Sequence, residues 1–171
     1  MAAPHVVIIG GGFGGLFGAR AFKGAPVEVT LVDRHNHHVF QPLLYQVATA
    51  GLSPGDIASP IRWILRRQKN VRVLLGEVQA IDVASRRVLL DGAESLTYDY
   101  LIVAAGADNS YFGHPEWAQF APALKTLDDA LRVRGRMLLA YEVAEREADP
   151  AVRRRMLTSV IVGGGPTGVE M

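Results

Sequence analysis

Val6-Val7-Ile8-Ile9-Gly10-Gly11-Gly12-Phe13-Gly14-Gly15, residues 6–15, decides the fold. Val6 to Ile9 is a short continuous β-branched run, the pattern of a parallel strand buried on both faces. It closes at Gly10, and Gly10, Gly12 and Gly15 occupy the fixed places of G-x-G-x-x-G. In that arrangement the first glycine permits a tight turn off the strand. The second lets the backbone approach a pyrophosphate without a Cβ in the way, and the third lets a helix pack closely on the strand. The negative charge of such a ligand meets free N–H groups at the start of the helix. The pattern alone is weak, and its context decides its reading. A helix is expected from about 14 to 23 and a second strand over 27–32, with Asp33 at its end, placed to accept hydrogen bonds from the two hydroxyls of an adenosine ribose. Strand, helix and strand within so short a span form a βαβ unit with a right-handed crossover, the nucleus of a doubly wound sheet.

Further along, the chain is irregular from His35 to Pro60, and a helix is expected over 56–68 with Ile57, Ile61, Ile64 and Leu65 on one face and Pro60 in its first turn. Residues 71–75, 77–83 and 86–90 read as short strands of an antiparallel meander beside the main sheet, with Asp91-Gly92 as a turn. Residues 100–104 form another buried strand, ending in Ala104-Ala105-Gly106-Ala107. A helix capped by Thr126 or Asp128 is expected through about Glu147, with Leu127, Leu131, Leu138 and Tyr141 inward. A strand over 159–162 then leads into Gly163-Gly164-Gly165-Pro166-Thr167-Gly168-Val169-Glu170. Gly163, Gly165 and Gly168 repeat the three places, so a second dinucleotide turn begins there. The residue that separates NADH from NADPH lies beyond Met171. The expected fold is α/β: a Rossmann-like domain over 1–110 with a parallel sheet and a small antiparallel meander, a linker over 111–125, and the start of a second Rossmann-like domain, truncated, over 126–171.

Composition limits the function classes. The 171 residues carry 18 basic and 17 acidic side chains, a net charge of +1, which supplies no broad field for nucleic acid. Absence of cysteine removes disulfides, thiolate metal sites and dithiol relays, and suits the cytoplasm. No run reaches the roughly 18 to 20 apolar residues of a membrane span, and the N-terminus does not read as a signal peptide. His35, His37 and His38 lack a further ligand at metal-binding spacing, so no metal site is expected. The basic runs Arg66, Arg67 and Lys69, and Arg153 to Arg155, read as solvated helix ends.

The stretches FQPLLYQVATAGLSPGDIASPIR, YFGHPEW, LKTLDDAL and IVGGGPTGVEM, with LIVAAGA between the two turns, resemble the type II NADH dehydrogenases. These are NADH:quinone oxidoreductases of the two-dinucleotide-binding flavoprotein superfamily, and the likeness covers nearly the whole chain. The resemblance implies FAD at the first turn and NADH at the second. Gly10, Gly12, Phe13, Gly14 and Gly15 would line the FAD pyrophosphate, and Asp33 with Arg34 would lie at the ribose. Gln41, Pro42, Leu43 and Leu44 would run beside the isoalloxazine. Val78 would touch the adenine through its backbone, and Ala105 and Gly106 would pass near the flavin linkage. Gly163, Gly165, Pro166, Thr167, Gly168 and Glu170 would belong to the nicotinamide nucleotide. Ala105 departs from the usual threonine and removes one hydroxyl.

The implied chemistry is hydride transfer from NADH to the flavin and electron transfer to a quinone, with no catalytic acid or base required of this chain. Tyr45 and Gln46 could approach flavin or quinone, and Tyr45 reads equally well as a core aromatic with a wet hydroxyl. The resemblance implies a peripheral protein on the cytoplasmic membrane face, attached through a C-terminal part absent here, and is compatible with a homodimer. The isolated chain is expected to turn over little. The alternatives are a non-catalytic nucleotide-binding remnant, or a flavoprotein reductase whose acceptor is an iron–sulfur protein or oxygen.

Overall fold

β1 (His5–Ile9) is paired on both sides by parallel strands, which explains why its β-branched side chains run without polar interruption. The computed structural model describes residues 2–171. In chain order, α1 (Phe13–Ala21), β2 (Glu28–Asp33) and β3 (His37–Val39) follow β1. After a 3-10 turn come α2 (Leu44–Ala48), α3 (Pro54–Ile57), β4 (Ala58–Pro60) and α4 (Ile61–Leu65). The strands β5 (Val71–Leu75), β6 (Val78–Asp82), β7 (Arg87–Leu90), β8 (Ser95–Thr97) and β9 (Tyr100–Val103) lead to α5 (Leu127–Glu145), α6 (Pro150–Met156) and α7 (Pro166–Glu170). The chain divides into two compact units, Met1–His38 with Ala58–Ala107, and Val39–Ile57 with Asp108–Met171.

The first unit is built on a parallel sheet in the order β5-β2-β1-β9. Alternation along β1 divides its core between two faces. Val6 and Ile8 pack with Val29, Leu31, Leu16 and Ala19 of α1, and Ile61 and Leu65 of α4. Val7 and Ile9 point the other way, against Val32, Val88 and Leu90 under the β6-β7-β8 meander. At the sheet's opposite end His5 ties the start of β1 to β2, to the end of β8 and to the residue before β9. Its Nδ1–H donates to the Thr97 carbonyl at 2.7 Å, its Nε2 lies 2.8 Å from the buried Thr30 hydroxyl, and its backbone N–H donates to Asp99 at 2.7 Å.

The second unit packs Leu44, Val47, Ala48 and Ile57 against Ala130 of α5. α5 begins with a capping box, in which Thr126 Oγ1 accepts from the Asp129 N–H and the Asp129 carboxylate accepts from the Thr126 N–H. Arg134 donates to the Leu52 carbonyl at 3.3 Å, holding α5 to the turn after α2.

Four sequence expectations are corrected. The helix expected over 56–68 is broken into α3, β4 and α4: Ser59 precedes a proline, which disfavours helical backbone, and Pro60 is extended with ψ 128°. Ile57 consequently packs in the second unit while Ile61, Ile64 and Leu65 pack in the first. β5 joins the parallel sheet rather than the meander, whose third strand is instead β8, too short to show periodicity. On α5 the buried residues are Ala130 and Ala144, whereas Leu131, Leu138 and Tyr141 are exposed. Residues 159–162 form no strand, because no neighbour accepts their backbone hydrogen bonds among the described residues; Val160 and Val162 are exposed.

The position of Ile8 between sheet and helices sets a stability prediction. Ile8→Ala lowers the free energy of unfolding of the first unit by about 2–5 kcal/mol in urea titration. Leu139→Ala, on the 62% exposed Leu139, changes unfolding by less than about 0.5 kcal/mol.

Candidate functional site

Both strands that flank the reversal of strand order, β1 and β9, end at the same edge of the sheet. From β1 the chain proceeds through β2 to β5 on one side, and β9 lies on the other. In open α/β sheets the crevice at such a switch point, outside the carboxyl ends of the strands, is where ligands bind. The glycine turn leaves β1 there, and Ala104-Ala105-Gly106 leaves β9 beside it: the Ala104 N–H donates to the Ile9 carbonyl at 2.8 Å.

The glycines of the turn divide by task. Gly10 has φ +101°, and a Cβ on it would lie 2.3 Å from the Ala104 carbonyl oxygen. A Cβ on Gly15 would lie 1.7 Å from the Gly10 carbonyl oxygen, so no side chain fits there. Gly12 differs. Its φ of −69° suits any residue, and a Cβ on it would meet nothing within 4 Å. The structure therefore demands glycine at 10 and 15 for its own packing, and leaves clear space in front of Gly12. Gly12 caps α1 without a side-chain hydrogen bond, and the Gly12 carbonyl accepts the Leu16 N–H at 2.9 Å. Such a helix start keeps backbone N–H groups available to an anion. Phe13 and Gly14 beside it are exposed.

Asp33 is fixed before any ligand arrives. Its Oδ2 accepts the Gly11 N–H and its Oδ1 accepts the His35 N–H at 2.6 Å, so both oxygens are held at the strand end with lone pairs to spare. Gly76 N–H donates to the Asp33 carbonyl at 3.0 Å, which brings the start of the Glu77-Val78 segment to the same edge. Glu77 N–H donates to Asp91 Oδ1 at 2.9 Å, and Val78 is paired with Leu90. Arg34 is exposed next to Asp33.

Two residues of this edge, Gly11 and His38, were not singled out for the site by the sequence. Gly11 is buried, and a Cβ on it would lie 2.4 Å from Ile61 Cδ1 and 3.3 Å from Asp33 Oδ2. His38 reaches back to the turn: its Nδ1–H donates to the Gly11 carbonyl at 3.0 Å, and its ring meets Phe13 edge-on with centroids 5.0 Å apart. The only sequence signals were the unbroken run of three glycines and the unusual density of histidine. Among the described residues no group of three or more His, Asp or Glu side chains could hold a metal ion.

In the second unit, Gln41, Pro42 and Leu43 form the 3-10 turn, with Gln41 and Pro42 exposed, while Leu44 is committed to the core. Gln46 Nε2 donates to the Tyr45 hydroxyl at 2.8 Å. Gly163 has φ +117°, and a Cβ on Gly168 would lie 2.0 Å from the Gly163 carbonyl oxygen. A Cβ there would also sit 3.5 Å from Ile161 Cγ2, as one on Gly15 would sit 3.3 Å from Ile8 Cγ2. The second turn is thus the geometric counterpart of the first, with Gly165 capping α7 and Pro166 at its start. Thr167 and Glu170 lie in α7 and are exposed.

Known proteins resemble this chain along nearly its whole length. The family model for pyridine nucleotide-disulphide oxidoreductases matches residues 4–171. The type II NADH:quinone oxidoreductase NdhA of Mycobacterium tuberculosis is 61% identical over 170 residues, covering 98% of this chain and 36% of NdhA. Ndh of the same organism is 56% identical, covering 98% of this chain and 37% of Ndh. The solved structure of NDH2 from Plasmodium falciparum in complex with RYL-552 superposes with a TM-score of 0.88 at 29% identity, covering 98% of this chain and 35% of that one. The chain thus spans little more than a third of the length of the curated relatives it matches.

The division among the glycines is testable. Gly15→Ala destabilises the first unit strongly, because a methyl group would overlap a backbone oxygen. Gly12→Ala leaves the circular dichroism melt within about 1 kcal/mol of the unsubstituted chain and weakens dinucleotide binding in equilibrium dialysis. Loss of stability in both variants, or in neither, would contradict the assignment.

Proposed function

The chain belongs to the pyridine nucleotide-disulphide oxidoreductase family, and on that premise we propose that it carries the FAD-binding turn and the opening of the nicotinamide-nucleotide turn of an NADH:quinone oxidoreductase. The observation that carries the proposal is the switch point of the sheet, where open space before Gly12, the N-terminus of α1 and the pinned Asp33 carboxylate share one edge. Identity of 61% and 56% to two NADH:quinone oxidoreductases supports the acceptor class.

In this reading residues 1–110 serve FAD, 111–125 link, and 126–171 open the nicotinamide site. The pyrophosphate of FAD lies against Gly10, Gly12, Phe13, Gly14 and Gly15. Asp33 accepts from the ribose hydroxyls, with Arg34 alongside. Val78 meets the adenine through its backbone, Ala105 and Gly106 pass the flavin linkage, and Gln41 to Leu44 serve the ring. Gly163, Gly165, Pro166, Thr167, Gly168 and Glu170 serve NADH. FAD held there would supply the chemistry of accepting a hydride from NADH and passing electrons to a quinone. The chain's residues supply no acid or base to that exchange; they bind and orient. His38 positions the turn through the Gly11 carbonyl, and Asp33 positions it through the Gly11 N–H. No cysteine is present, so electrons take no dithiol route through these residues. No helix among the described residues is long and apolar enough to cross a membrane, and we place the protein peripherally, at the cytoplasmic face, where a lipid-soluble quinone is reached.

Incubation with FAD followed by desalting leaves absorption bands near about 370 and 450 nm on the purified chain. Asp33→Ala weakens that retention about tenfold or more, the loss expected when charge-assisted hydrogen bonds are removed. A colourless protein, or an Asp33→Ala variant that retains FAD equally well, would contradict the assignment.

A further inference from the structure

We propose that Arg20, Lys23 and Arg67 form a binding site for a phosphate-bearing anion on the helical face of the first unit, separate from the glycine turn. A cavity of ≈ 170 Å³ is lined by Arg20, Lys23, Ile64, Leu65, Arg67 and Gln68. Three of its six lining side chains are cations and none is a carboxylate. Arg20 stands in the last turn of α1, about 10 Å along the helix from Phe13 at the rise of an α-helix.

The cations are brought together by long-range packing. Leu16 and Ala19 of α1 share a core cluster with Ile61 and Leu65 of α4, and the buried Gln68 side chain donates to the Ala19 carbonyl at 2.7 Å. This fixes the end of α1 against the segment that carries Arg67. The carbonyl end of α1 favours Arg20 and Lys23, but Arg67 comes from the turn after α4. Three like charges facing one small space repel each other, and an anion seated among them relieves that repulsion.

Flanking aromatics support the same chemistry. The Arg20 guanidinium lies 5.9 Å from the Phe17 ring centroid and the Arg66 guanidinium 3.7 Å from that of Trp63. Phe17 and Trp63 are exposed, so both contacts lie at the surface; Arg66 adjoins Arg67 without lining the cavity, and a guanidinium presents a donor fork that matches phosphate. The expectation of solvated, independent helix ends for Arg66 and Arg67 does not include this convergence with α1.

The test is isothermal titration of the purified chain with inorganic phosphate against chloride at matched ionic strength. In parallel, the chain is floated with vesicles of phosphatidylglycerol and of phosphatidylcholine. Saturable phosphate binding that weakens about tenfold or more in Lys23→Gln and Arg67→Gln, but persists in Gly12→Ala, supports a site for a free phosphate. Flotation with phosphatidylglycerol vesicles alone, lost in the same two variants, supports the same site filled by a lipid headgroup. No binding in either arm overturns the proposal, as does binding unchanged in both variants or lost only in Gly12→Ala. Lys23, Arg67 and Gly12 are exposed, and circular dichroism checks each variant's fold; Lys23→Gln alone reads the site if Arg67→Gln unfolds.

Discussion

The contact between the Gly15 α-carbon and the Gly10 carbonyl oxygen is the constraint on which the first unit is arranged. A methyl group at position 15 would approach that oxygen to 1.7 Å, so α1 can start where it does only with glycine at its third residue. The close approach aims the start of α1 across the end of β1 and brings Leu16 and Ala19 down onto Val6 and Ile8. It also leaves the outward side of Gly12 clear. A packing requirement and a binding surface arise from one turn, which is why the glycines cannot be ranked by importance without asking what each touches.

Around the turn, polar groups settle its remaining freedom. Gly11 is gripped on both sides of its peptide units, its N–H by Asp33 and its carbonyl by His38, and Ile61 fills the space a side chain would need. Asp33 therefore reads as more than a ribose acceptor: the carboxylate that would meet the ligand also fixes the loop that would carry the pyrophosphate. Pre-organisation of this kind lowers the ordering cost that binding would otherwise incur. The second turn repeats the glycine geometry at Gly163 and Gly168 within a much more exposed setting.

Much of this was legible in the sequence because it rests on local necessity. A β-branched run, three spaced glycines and an acid at the next strand's end each have one dominant structural meaning. The α/β class, the parallel core and the Thr126 cap follow from such signals. Non-local facts were not legible. Val71 to Leu75 has no local feature that assigns it to the parallel sheet rather than to the meander. Pro60 fits the first turn of a helix over 56–68, yet pairing of β4 with β3 makes it extended. Residues 159–162 have strand composition, yet a strand exists only beside a neighbour. The apolar period of α5 marks a face that packing leaves open at Leu138 and Tyr141. At the site, Gly11 and His38 were invisible because their roles depend on Asp33, Ile61 and Phe13 converging from elsewhere in the chain.

The most direct test of the central claim, that the first turn holds FAD through its adenosine diphosphate half, is amide chemical-shift mapping of the isotopically labelled chain during FAD titration. The account predicts saturable shifts at Gly11, Gly12, Phe13, Gly14 and the Asp33 strand end, reproduced by ADP, with residues 163–168 little changed. Shifts confined to residues 163–168, or an unperturbed Gly12 in an FAD-bound chain, would contradict it.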